Sequence, residues 1–511
     1  MAVPWQRAVL RATATLAVLA LPAAVVVGGE RFPARVPEPV APLAVPVESP
    51  ATDLVCPSPV RLAAGTTDPD AAIDPEFDPA PVSPVAVLSA VSTGQGTSLA
   101  SAFLRTLDSA EPVEALPGSG LASALLLQAP QEALVVHADG GQDRPVSLAG
   151  SVVTRTDAGD LRGLVAASCR PASGEAWLVG GSTGVQSSAL LVLQNPGKTP
   201  ATVQIRVWGA AGPVVLAAAP ELLVPAGTER SVLLEGLALD EERIVVGVSA
   251  TGGTVSAYLQ DSSLDGLTPT GVSAVVPGRA PALRQVIPGV ALLGGDEDPA
   301  LLRLLVPGEV DGSVDVTLLG PDGAVPLPGA QDLGLAAGEV LDIPLAGLGA
   351  GTYSLVVDAD VPVVAGAMVA RGEQSADPGG DGAVDRAWAA ATATGHGDVV
   401  ALPGLAGWSL AVALPPSDGA TPTVVTVETL GADGSVLSTE SRAVAPGESL
   451  ALPGEDLVAD EADAAGLVVR SDVEVAWGVV LEVPDDDGTL IAVLGPVAVP
   501  TARSAVDVRL G

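Results

Sequence analysis

The chain has few basic residues. Lysine and arginine together number 23 against 60 aspartates and glutamates, which leaves a formal net charge of −37 over 511 residues. Attraction to phosphate backbones or to anionic lipid headgroups needs clustered lysine and arginine, and this sequence has no such cluster. Hydrophobic residues still make up 48% of the chain, so the acidic charge does not indicate disorder. We therefore predict a folded protein that does not bind nucleic acid.

Aromatic residues, histidine and cysteine are also scarce. Aromatics account for 2% of the chain, and there are two histidines and two cysteines. Sugar-binding faces and interface hot spots depend on tryptophan and tyrosine, so a carbohydrate platform has few possible anchors here. Lys198 and Asn195 are each the only residue of their type. This pattern is typical of a GC-rich coding bias, so a missing lysine says nothing about function.

The N-terminal segment has the pattern of an export signal or a membrane anchor. Arg7 and Arg11 precede an uncharged run over residues 12–29, whose length fits both a signal peptide and a short spanning helix. The basic residues on its N-terminal side place the rest of the chain outside the cytoplasm. We predict a signal anchor or signal peptide over residues 1–31, followed by an extended proline-rich linker over residues 32–52. The protein is then either a single-pass membrane protein with its bulk extracytoplasmic or a secreted protein.

The two cysteines, Cys56 and Cys169, are far apart in the sequence. An exported chain meets an oxidising environment, so we expect a disulfide between them. Reactive or metal-binding thiols are the alternative, although two isolated cysteines lack any CxxC-type ligand spacing.

The chain repeats itself with a period of about 111 residues. Each copy contains a strand with alternating apolar and polar residues, followed by a four-residue turn rich in glycine. The three turns are Gly209–Gly212, Gly320–Gly323 and Gly431–Gly434. Alternation of this kind buries one face of a strand and exposes the other, as in antiparallel sheets. The sequence therefore contains three copies of one β-rich unit.

Short strands broken by turn residues, with almost no helical periodicity, predict an all-β fold of tandem immunoglobulin- or fibronectin-like β-sandwich domains. A propeller is the main alternative, but its blades span about 40 to 50 residues, less than half of this period. We predict a rod of four domains. The first is a divergent β domain over residues 53–175, with a possible short helix over 98–107, and the sandwich repeats cover 176–278, 279–385 and 386–511.

Residues 169–212 carry a resemblance to a known family. The shared features are an N-terminal apolar segment, the pair Cys56-Pro57, a cysteine before the Glu-Ala-Trp of residues 175–177, and an Asn-Pro-Gly turn at residues 195–197. In these features the chain resembles a family of uncharacterised actinobacterial exported proteins. The resemblance implies an anchored or secreted β-rich envelope protein, and it brings no established activity or catalytic residue.

No motif predicts a catalytic, cofactor-binding or metal-binding residue. Gly180–Gly184 fits G-x-S-x-G around Ser182, but a strand is predicted after it rather than the required helix, so we interpret it as a glycine-rich loop. Three acidic runs lack EF-hand spacing, and we interpret them as solvated loop tips rather than calcium sites. The runs are Asp68, Asp70, Asp74, Glu76 and Asp78, then Asp296, Glu297 and Asp298, then Asp485, Asp486 and Asp487.

The tryptophans differ in their predicted roles. Trp208 aligns with leucines in the other repeats, so we expect it to pack in a core. Trp177 and Trp388 each follow an alanine near the start of a repeat, which favours a core or interdomain role. Trp408 is the freest candidate for contact with a partner, and the loops around Ser182 and Trp408 are the expected contact regions.

These features favour a non-catalytic extracytoplasmic scaffold or interaction protein of the cell envelope, without a cofactor. Its expected partner is an envelope protein or a cell-wall component, with the membrane reached through the N-terminal helix. Two alternatives stay open. One is a secreted protein that binds or hydrolyses a sugar or polymer, and the other is an accessory subunit of a membrane glycosyltransferase or secretion machine.

Overall fold

The computed structural model shows an all-β protein. It describes residues 9, 43–46, 51–62, 84–94, 101–117, 122–139, 146–218, 220–372, 384–405, 407–417, 419, 421–485, 488–497 and 505–508. The predicted N-terminal helix apart from Val9, most of the proline-rich linker and the first acidic run lie outside these residues. Within the described ranges, no helix is long and apolar enough to cross a membrane.

Strands form where the sequence alternates, as the repeat predicts. In the segment Ala201–Gly209, Val203 and Ile205 are buried whereas Gln204 and Arg206 are exposed. The corresponding strands Gly312–Gly320 and Thr423–Gly431 show nearly the same pattern. The turns that follow end on glycines with φ angles of +117°, +105° and +77° at residues 212, 323 and 434. A side chain strains the backbone at such angles, so glycine at these positions allows the chain to turn back.

The strands form four units in chain order, preceded by β1 (Leu43–Pro46) and followed by β34 (Ala505–Val508). The first unit contains β2 (Thr52–Val55), β3 (Val85–Gly94), β4 (Ala102–Thr106), β5 (Glu114–Ala115), β6 (Ala122–Gln128), β7 (Leu134–Ala138), β8 (Val146–Thr156) and β9 (Gly163–Ser168). The second contains β10 (Glu175–Val179), β11 (Ser187–Asn195), β12 (Ala201–Gly209), β13 (Gly212–Pro213), β14 (Glu221–Val224), β15 (Thr228–Leu233), β16 (Val245–Thr251), β17 (Ser256–Asp265) and β18 (Thr268–Val275).

The third and fourth units come next in the chain. The third contains β19 (Ala282–Leu292), β20 (Leu301–Leu305), β21 (Gly312–Gly320), β22 (Gly323–Pro326), β23 (Leu333–Leu335), β24 (Val340–Pro344), β25 (Gly351–Gly372) and β26 (Val384–Ala390). The fourth contains β27 (Gly395–Ala401), β28 (Trp408–Leu414), β29 (Thr423–Gly431), β30 (Val436–Val444), β31 (Glu448–Pro453), β32 (Ala464–Asp485) and β33 (Gly488–Leu494). Short 3-10 turns separate some of the strands, at Leu234–Gly236, Gly454–Asp456 and Glu461–Asp463.

Each unit consists of two antiparallel arrays built on four strands in one recurring order, and β14 and β23 add a fifth strand to one array of the second and third units. In the third unit the orders are β19-β25-β21-β22 and β24-β20-β25-β26. The long strand β25 belongs to both arrays, because its first half pairs with β19 and β21 and its second half with β20 and β26. Strand β32 does the same in the fourth unit. In the first two units, two separate strands take the places that the two halves of β25 take in the third unit.

The two arrays of a unit share one hydrophobic core. In the third unit, Val316 and Val357 from one array pack in the same cluster as Leu304 and Ala365 from the other, and all four are at most 1% exposed. The first unit also buries the sulfurs of Cys56 and Cys169, which form the predicted disulfide. The disulfide is therefore confirmed, and it lies in the core of this unit.

The last strands of the four units meet at a common axis. Strand β9 contacts β18 and β33, and β26 contacts the same two strands, so the four strands form a closed ring. The units surround this ring in a propeller-like arrangement. The predicted rod is therefore wrong, because in a rod the first unit would not reach the fourth. Here the Ser168 hydroxyl in the first unit donates a 2.7 Å hydrogen bond to the Gly495 carbonyl oxygen, directly after the fourth.

Two smaller expectations differ from the structure. The possible helix over residues 98–107 is strand β4 where it is described, because Phe103 and Leu104 pair with β5 and β7. The predicted boundary between residues 385 and 386 falls inside β26, which pairs with β25 of the third unit. Strands β1 and β34 pair antiparallel with each other and belong to a compact unit separate from residues 48–502.

Candidate functional site

A cavity of about 420 Å³ lies where the four central strands end. Each unit contributes the segment that follows its central strand, so the walls come from all four units. The lining residues are Arg170, Pro171 and Ser173, Val255–Ala257, Pro277–Arg279, Ala391–Gly395, Gly397 and Asp398, Val475, Trp477, Pro496 and Val497. Small-molecule sites commonly have volumes of about 300 to 1,000 Å³. We call this space the axial cavity, and it is the candidate functional site.

Arg170 is fixed at the wall of the axial cavity by its own backbone. It follows the disulfide-bonded Cys169, and its amide and carbonyl groups both pair with Val55, at 2.9 and 2.7 Å. Burial lowers the pKa of its guanidinium to about 10. The buried Nε atom has no hydrogen-bond partner among the described residues. The wall therefore holds a cation with at least one enclosed donor that has no partner among the described residues.

Asp398 is the carboxyl group of this wall. It lies on β27, and burial raises its pKa to about 6, although the Val399 amide donates a hydrogen bond to it at 2.9 Å. No ion pair joins Asp398 to Arg170 within the described part of the chain. This agrees with the two pKa shifts, since burial is the leading cause of both and a close ion pair would oppose each.

The rest of the wall adds hydroxyl groups and one indole. Thr392 is tied to the third unit through its amide, which donates to the Val286 carbonyl oxygen at 2.8 Å, and its buried hydroxyl has no partner among the described residues. Trp477 lies on β32 and is 3% exposed. Arg279 adds a second guanidinium, so the lining holds two arginines and one aspartate. The described lining of the axial cavity therefore has more basic than acidic side chains, in contrast to the strongly acidic chain as a whole.

At the other end of β26, the axis is closed by a buried carboxylate. Asp385 accepts hydrogen bonds through Oδ2 from the amides of Leu164, at 3.0 Å, and Ile491, at 2.9 Å. Burial raises its pKa to about 7, against the opposing effect of these amides and of the nearby charge of Arg162. A Cβ atom on Gly163 would lie 2.5 Å from Asp385 Oδ1, so only glycine permits this approach. Asp385 therefore joins three units.

A second cleft of about 480 Å³ lies between the first and second units. In it the His137 ring contacts Asp53 through Nδ1 at 2.7 Å and Asp139 through Nε2 at 3.3 Å. Arg105 binds the other oxygen of Asp53 at 2.9 Å. Ser101 donates its hydroxyl to Asp139 rather than to His137, and this hydrogen bond is the first cause of the lowered pKa of Asp139. The cleft therefore lacks the Ser–His contact that an activated nucleophile needs.

The chain matches a family model over residues 126–455. The model describes a family of unknown function, DUF5719. The chain belongs to this family. The match agrees with the predicted kinship to uncharacterised proteins, whereas actinobacterial origin and envelope localisation stay predictions.

No curated protein matches this DUF5719 chain. Among solved structures, the crystal structure of Thermotoga maritima 1070 matches it over 21% of this chain and 93% of its own chain, at 14% identity and a TM-score of 0.18. Nothing about the fold follows from a TM-score this low.

The loops around Ser182 and Trp408 are the contact regions predicted from the sequence. Trp408 is only 3% exposed, and its indole nitrogen donates to the Glu461 carbonyl oxygen at 3.2 Å, so the prediction of a free contact residue is wrong. Ser182 lies in a loop. Its hydroxyl donates a hydrogen bond to the Glu241 carbonyl oxygen at 3.3 Å and accepts one from the Gly184 amide. This loop has the form of a tight turn.

The tryptophans Trp177, Trp208 and Trp388 are all buried. Trp177 and Trp208 are 5% exposed and pack together against Leu305 and Val364 of the third unit. Trp388 lies on β26 of the third unit but packs in the core of the second. The predicted core or interdomain roles are therefore confirmed.

In the second acidic run, Asp298 is 6% exposed and accepts hydrogen bonds from the amides of Gly294 and Ala300. In the third run, Asp485 is paired with arginines, and residues 486–487 lie outside the described ones. The described residues include no group of three or more His, Cys, Asp or Glu side chains placed to hold a metal ion.

Sequence reasoning missed the axial cavity of this family member, because its residues come from six separated segments. The nearest sequence features were the Cys-Arg-Pro of residues 169–171 and the Gly-His-Gly-Asp of residues 395–398. The first contains Arg170 and the second contains Asp398. Neither segment has a spacing that points to the other, so only the ring brings them to one cavity.

Proposed function

We propose that this protein is a non-catalytic binding scaffold of the cell envelope and that the axial cavity receives its ligand or a group of its partner. The observation that carries this proposal is the position of the cavity, on the common axis and lined by segments of all four units. Ligand sites in folds of several units occur preferentially where the units meet. A ligand there would contact every unit and stabilise the ring.

The chemistry of the lining supports binding rather than hydrolysis. Glycoside hydrolysis needs two carboxyl groups that face one bond, whereas Asp398 is the single carboxyl side chain among the described lining residues. Nucleophilic catalysis needs a base beside a hydroxyl or thiol, and no histidine or cysteine is among them. The groups present can donate and accept hydrogen bonds, which is what a binding site requires.

The envelope location rests on the sequence and on the disulfide. The pattern of residues 1–31 predicts export, and a structural disulfide between Cys56 and Cys169 is typical of proteins that fold in an oxidising compartment. The folded units would then lie outside the cytoplasm, either anchored by residues 1–31 or released.

For the units themselves, the proposed relationship is to immunoglobulin-like or fibronectin-like sandwiches. In the fourth unit the second strand pairs with the fifth, β28 with β31, and the third pairs with the sixth, β29 with the first half of β32. The corresponding strands of the third unit pair in the same way, β20 with β24 and β21 with the first half of β25. These are the B–E and C–F neighbours of the immunoglobulin order. The transfer of the long strand into the second array is the main departure from that order.

A second candidate function, binding of a sugar or polymer, is favoured by one observation. The axial cavity combines the indole of Trp477 with the hydroxyl groups of Ser173, Thr392 and Thr394, and sugars bind where an apolar face and hydroxyl partners are combined. An open platform is less favoured, because all five tryptophans in the described ranges are at most 6% exposed.

Crosslinking in the native envelope tests the scaffold proposal. The full chain is captured after in vivo crosslinking, and the retained molecules are identified by mass spectrometry. In parallel, Ser173→Trp fills the axial cavity, and Val215→Trp places the same side chain at a position that is 93% exposed. We expect a specific envelope component to be retained by the wild type and by Val215→Trp and lost from Ser173→Trp. Equal retention by both variants would exclude the axial cavity as the binding site. No specific retention by the wild type would contradict the scaffold proposal.

A further inference from the structure

We infer that the axial cavity recognises an anionic oxygen group, a carboxylate on a compact molecule such as a sugar acid, through the guanidinium of Arg170. This inference rests on the proposed function and names the ligand class for it. The observation behind it is a guanidinium in the wall that lacks a carboxylate partner among the described residues.

A half-buried arginine without a counter-ion is energetically unfavourable when part of its guanidinium is enclosed, as the Nε atom of Arg170 is. The guanidinium remains charged inside proteins, and removing it from water costs several kcal/mol unless a partner compensates for that loss. The fully buried arginines show the usual solution. Arg162 is paired with Asp485, and Arg303 is paired with Asp342. Arg170 has no such partner among the described residues, so we infer that a ligand supplies the compensating negative charge.

The surrounding groups suit a carboxylate. Arg279 brings a second positive charge, and no hydrogen bond or ion pair of its side chain is found within the described residues. The Thr392 hydroxyl is buried without a partner among the described residues and can donate one further hydrogen bond. A planar carboxylate matches the fork of a guanidinium, and charge-assisted pairs of this kind are about twice as strong as neutral hydrogen bonds.

The size and remaining polarity of the axial cavity limit the ligand. A volume of about 420 Å³ accommodates a monosaccharide-sized acid with some water. The hydroxyl groups of Ser173 and Thr394 donate to the Glu175 carbonyl oxygen and the Glu474 carboxylate, so they can accept hydrogen bonds from ligand hydroxyl groups. Trp477 provides an apolar part of the wall. Asp398 would repel a second anionic group, so a single carboxylate fits better than a dianion.

The test measures binding of D-glucuronate by calorimetry to the purified full chain, with D-glucose as the neutral analogue and inorganic phosphate as the alternative anion. The variants are Arg170→Met, which keeps most of the side-chain volume without the charge, and Arg442→Met, which removes an arginine that is 38% exposed and outside the cavity. We expect glucuronate to bind at least about tenfold more tightly than glucose, with Arg170→Met removing this difference and Arg442→Met keeping it.

Thermal unfolding without ligand provides a second measurement. Because an unpaired buried charge is unfavourable, Arg170→Met should unfold at the same or a higher temperature than the wild type. Tighter binding of phosphate than of glucuronate would assign the site to phosphate and overturn the carboxylate inference. Equal binding of glucose and glucuronate, no binding of either anion, or a marked loss of stability in Arg170→Met would also overturn it. The capture experiment is independent of these results, so the scaffold proposal can survive such a failure.

Discussion

Asp385 accepts a 3.0 Å hydrogen bond from the backbone amide of Leu164, which lies 221 positions earlier in the chain. The same oxygen accepts the amide of Ile491, so one carboxyl group connects the third unit with the first and the fourth. Its other oxygen is buried without a partner among the described residues. One buried carboxyl group at the axis therefore contacts three of the four units.

The first prediction concerns the protonation of Asp385. Burial raises its pKa from 3.8 to about 7, so the folded state holds a proton that the unfolded state loses at a lower pH. The raised pKa therefore contributes up to about 4 kcal/mol to the free energy of unfolding. This contribution is complete below pH 4 and is lost as the pH rises towards 7. The Asp385→Asn substitution would keep an acceptor oxygen and remove this titration. We expect the stability of Asp385→Asn relative to the wild type to increase between pH 4 and pH 8, measured by urea unfolding at several pH values.

Asp385→Ala is the control for the hydrogen bonds. It removes the acceptor of the Leu164 and Ile491 amides, and each unsatisfied buried amide costs about 1 to 3 kcal/mol. This variant should be less stable than the wild type at every pH. The titration of Asp398 is shared by all three proteins and cancels in the comparison. If Asp385→Asn kept a constant difference from the wild type between pH 4 and pH 8, the role assigned to Asp385 would be wrong.

The second prediction concerns the disulfide. Cys56 and Cys169 enclose 113 positions and are both 0% exposed, so the crosslink restricts a long loop of the unfolded chain. The chain-entropy model gives about 4 to 5 kcal/mol for such a loop. We expect the double variant Cys56→Ala/Cys169→Ala to unfold at a clearly lower urea concentration than the wild type.

Reduction provides the comparison for this variant. Because both sulfurs are buried, a reductant should act slowly on the native wild type and fast in urea, with no further effect on the double variant. Equal unfolding midpoints for the oxidised wild type and the double variant would contradict the prediction.

The elements that could be read from the sequence are those fixed by local patterns. Val203, Ile205 and Val207 alternate with polar residues, so the period of two gives a strand with one buried face without any tertiary information. The disulfide could also be predicted, since only two cysteines exist and export favours their pairing.

The ring could not be predicted in this way. It depends on contacts between residues far apart, such as Asp385 with Leu164, and no local period records them. Trp408 shows the same limit. The loop around it is an expected contact region on sequence grounds, but Trp408 begins strand β28 and packs in the core of the fourth unit. Burial of this kind is decided by the partner strand and not by the neighbours in the sequence.

The third prediction concerns Arg303, which joins the third unit to the second. It binds both oxygens of Asp342 at 2.8 Å and donates to the carbonyl oxygens of Gly181, at 2.6 Å, and Ile244, at 3.1 Å. Lysine cannot reproduce this fork, so we expect Arg303→Lys to lower the free energy of unfolding by about 2 to 4 kcal/mol. Thermal or urea unfolding measures the change.

Arg442 offers a matched control on the surface. It pairs with Glu440 at 2.7 Å, and both side chains are 38% exposed. Exposed ion pairs contribute about 0 to 1 kcal/mol, so Arg442→Lys should have little effect. Comparable losses in the two variants would mean that the contact of Arg303 with the second unit contributes no stability of its own.

The fourth prediction concerns Asp485, which links the last unit to the first. Its side chain is 7% exposed and accepts from Arg155 at 2.9 Å and from Arg162 at 2.7 Å. Asp485→Asn removes the countercharge of Arg162, which is itself 6% exposed, and breaking a buried pair in this way costs about 3 to 5 kcal/mol. Arg162→Met should recover part of this loss when it is combined with Asp485→Asn, because the guanidinium that lost this partner is then removed as well.

Hydrogen exchange locates the effect of Asp485→Asn and tests the closed ring directly. In a closed ring, β33 and β9 support each other, so amides of both strands should exchange faster in this variant. The outer strand β30 of the fourth unit serves as the internal reference, since it pairs with β29 on the far side of its array. Faster exchange in the fourth unit alone would mean that the first and last units are not energetically coupled. Faster exchange in β9 together with β33 would show that the ring closes through these two units.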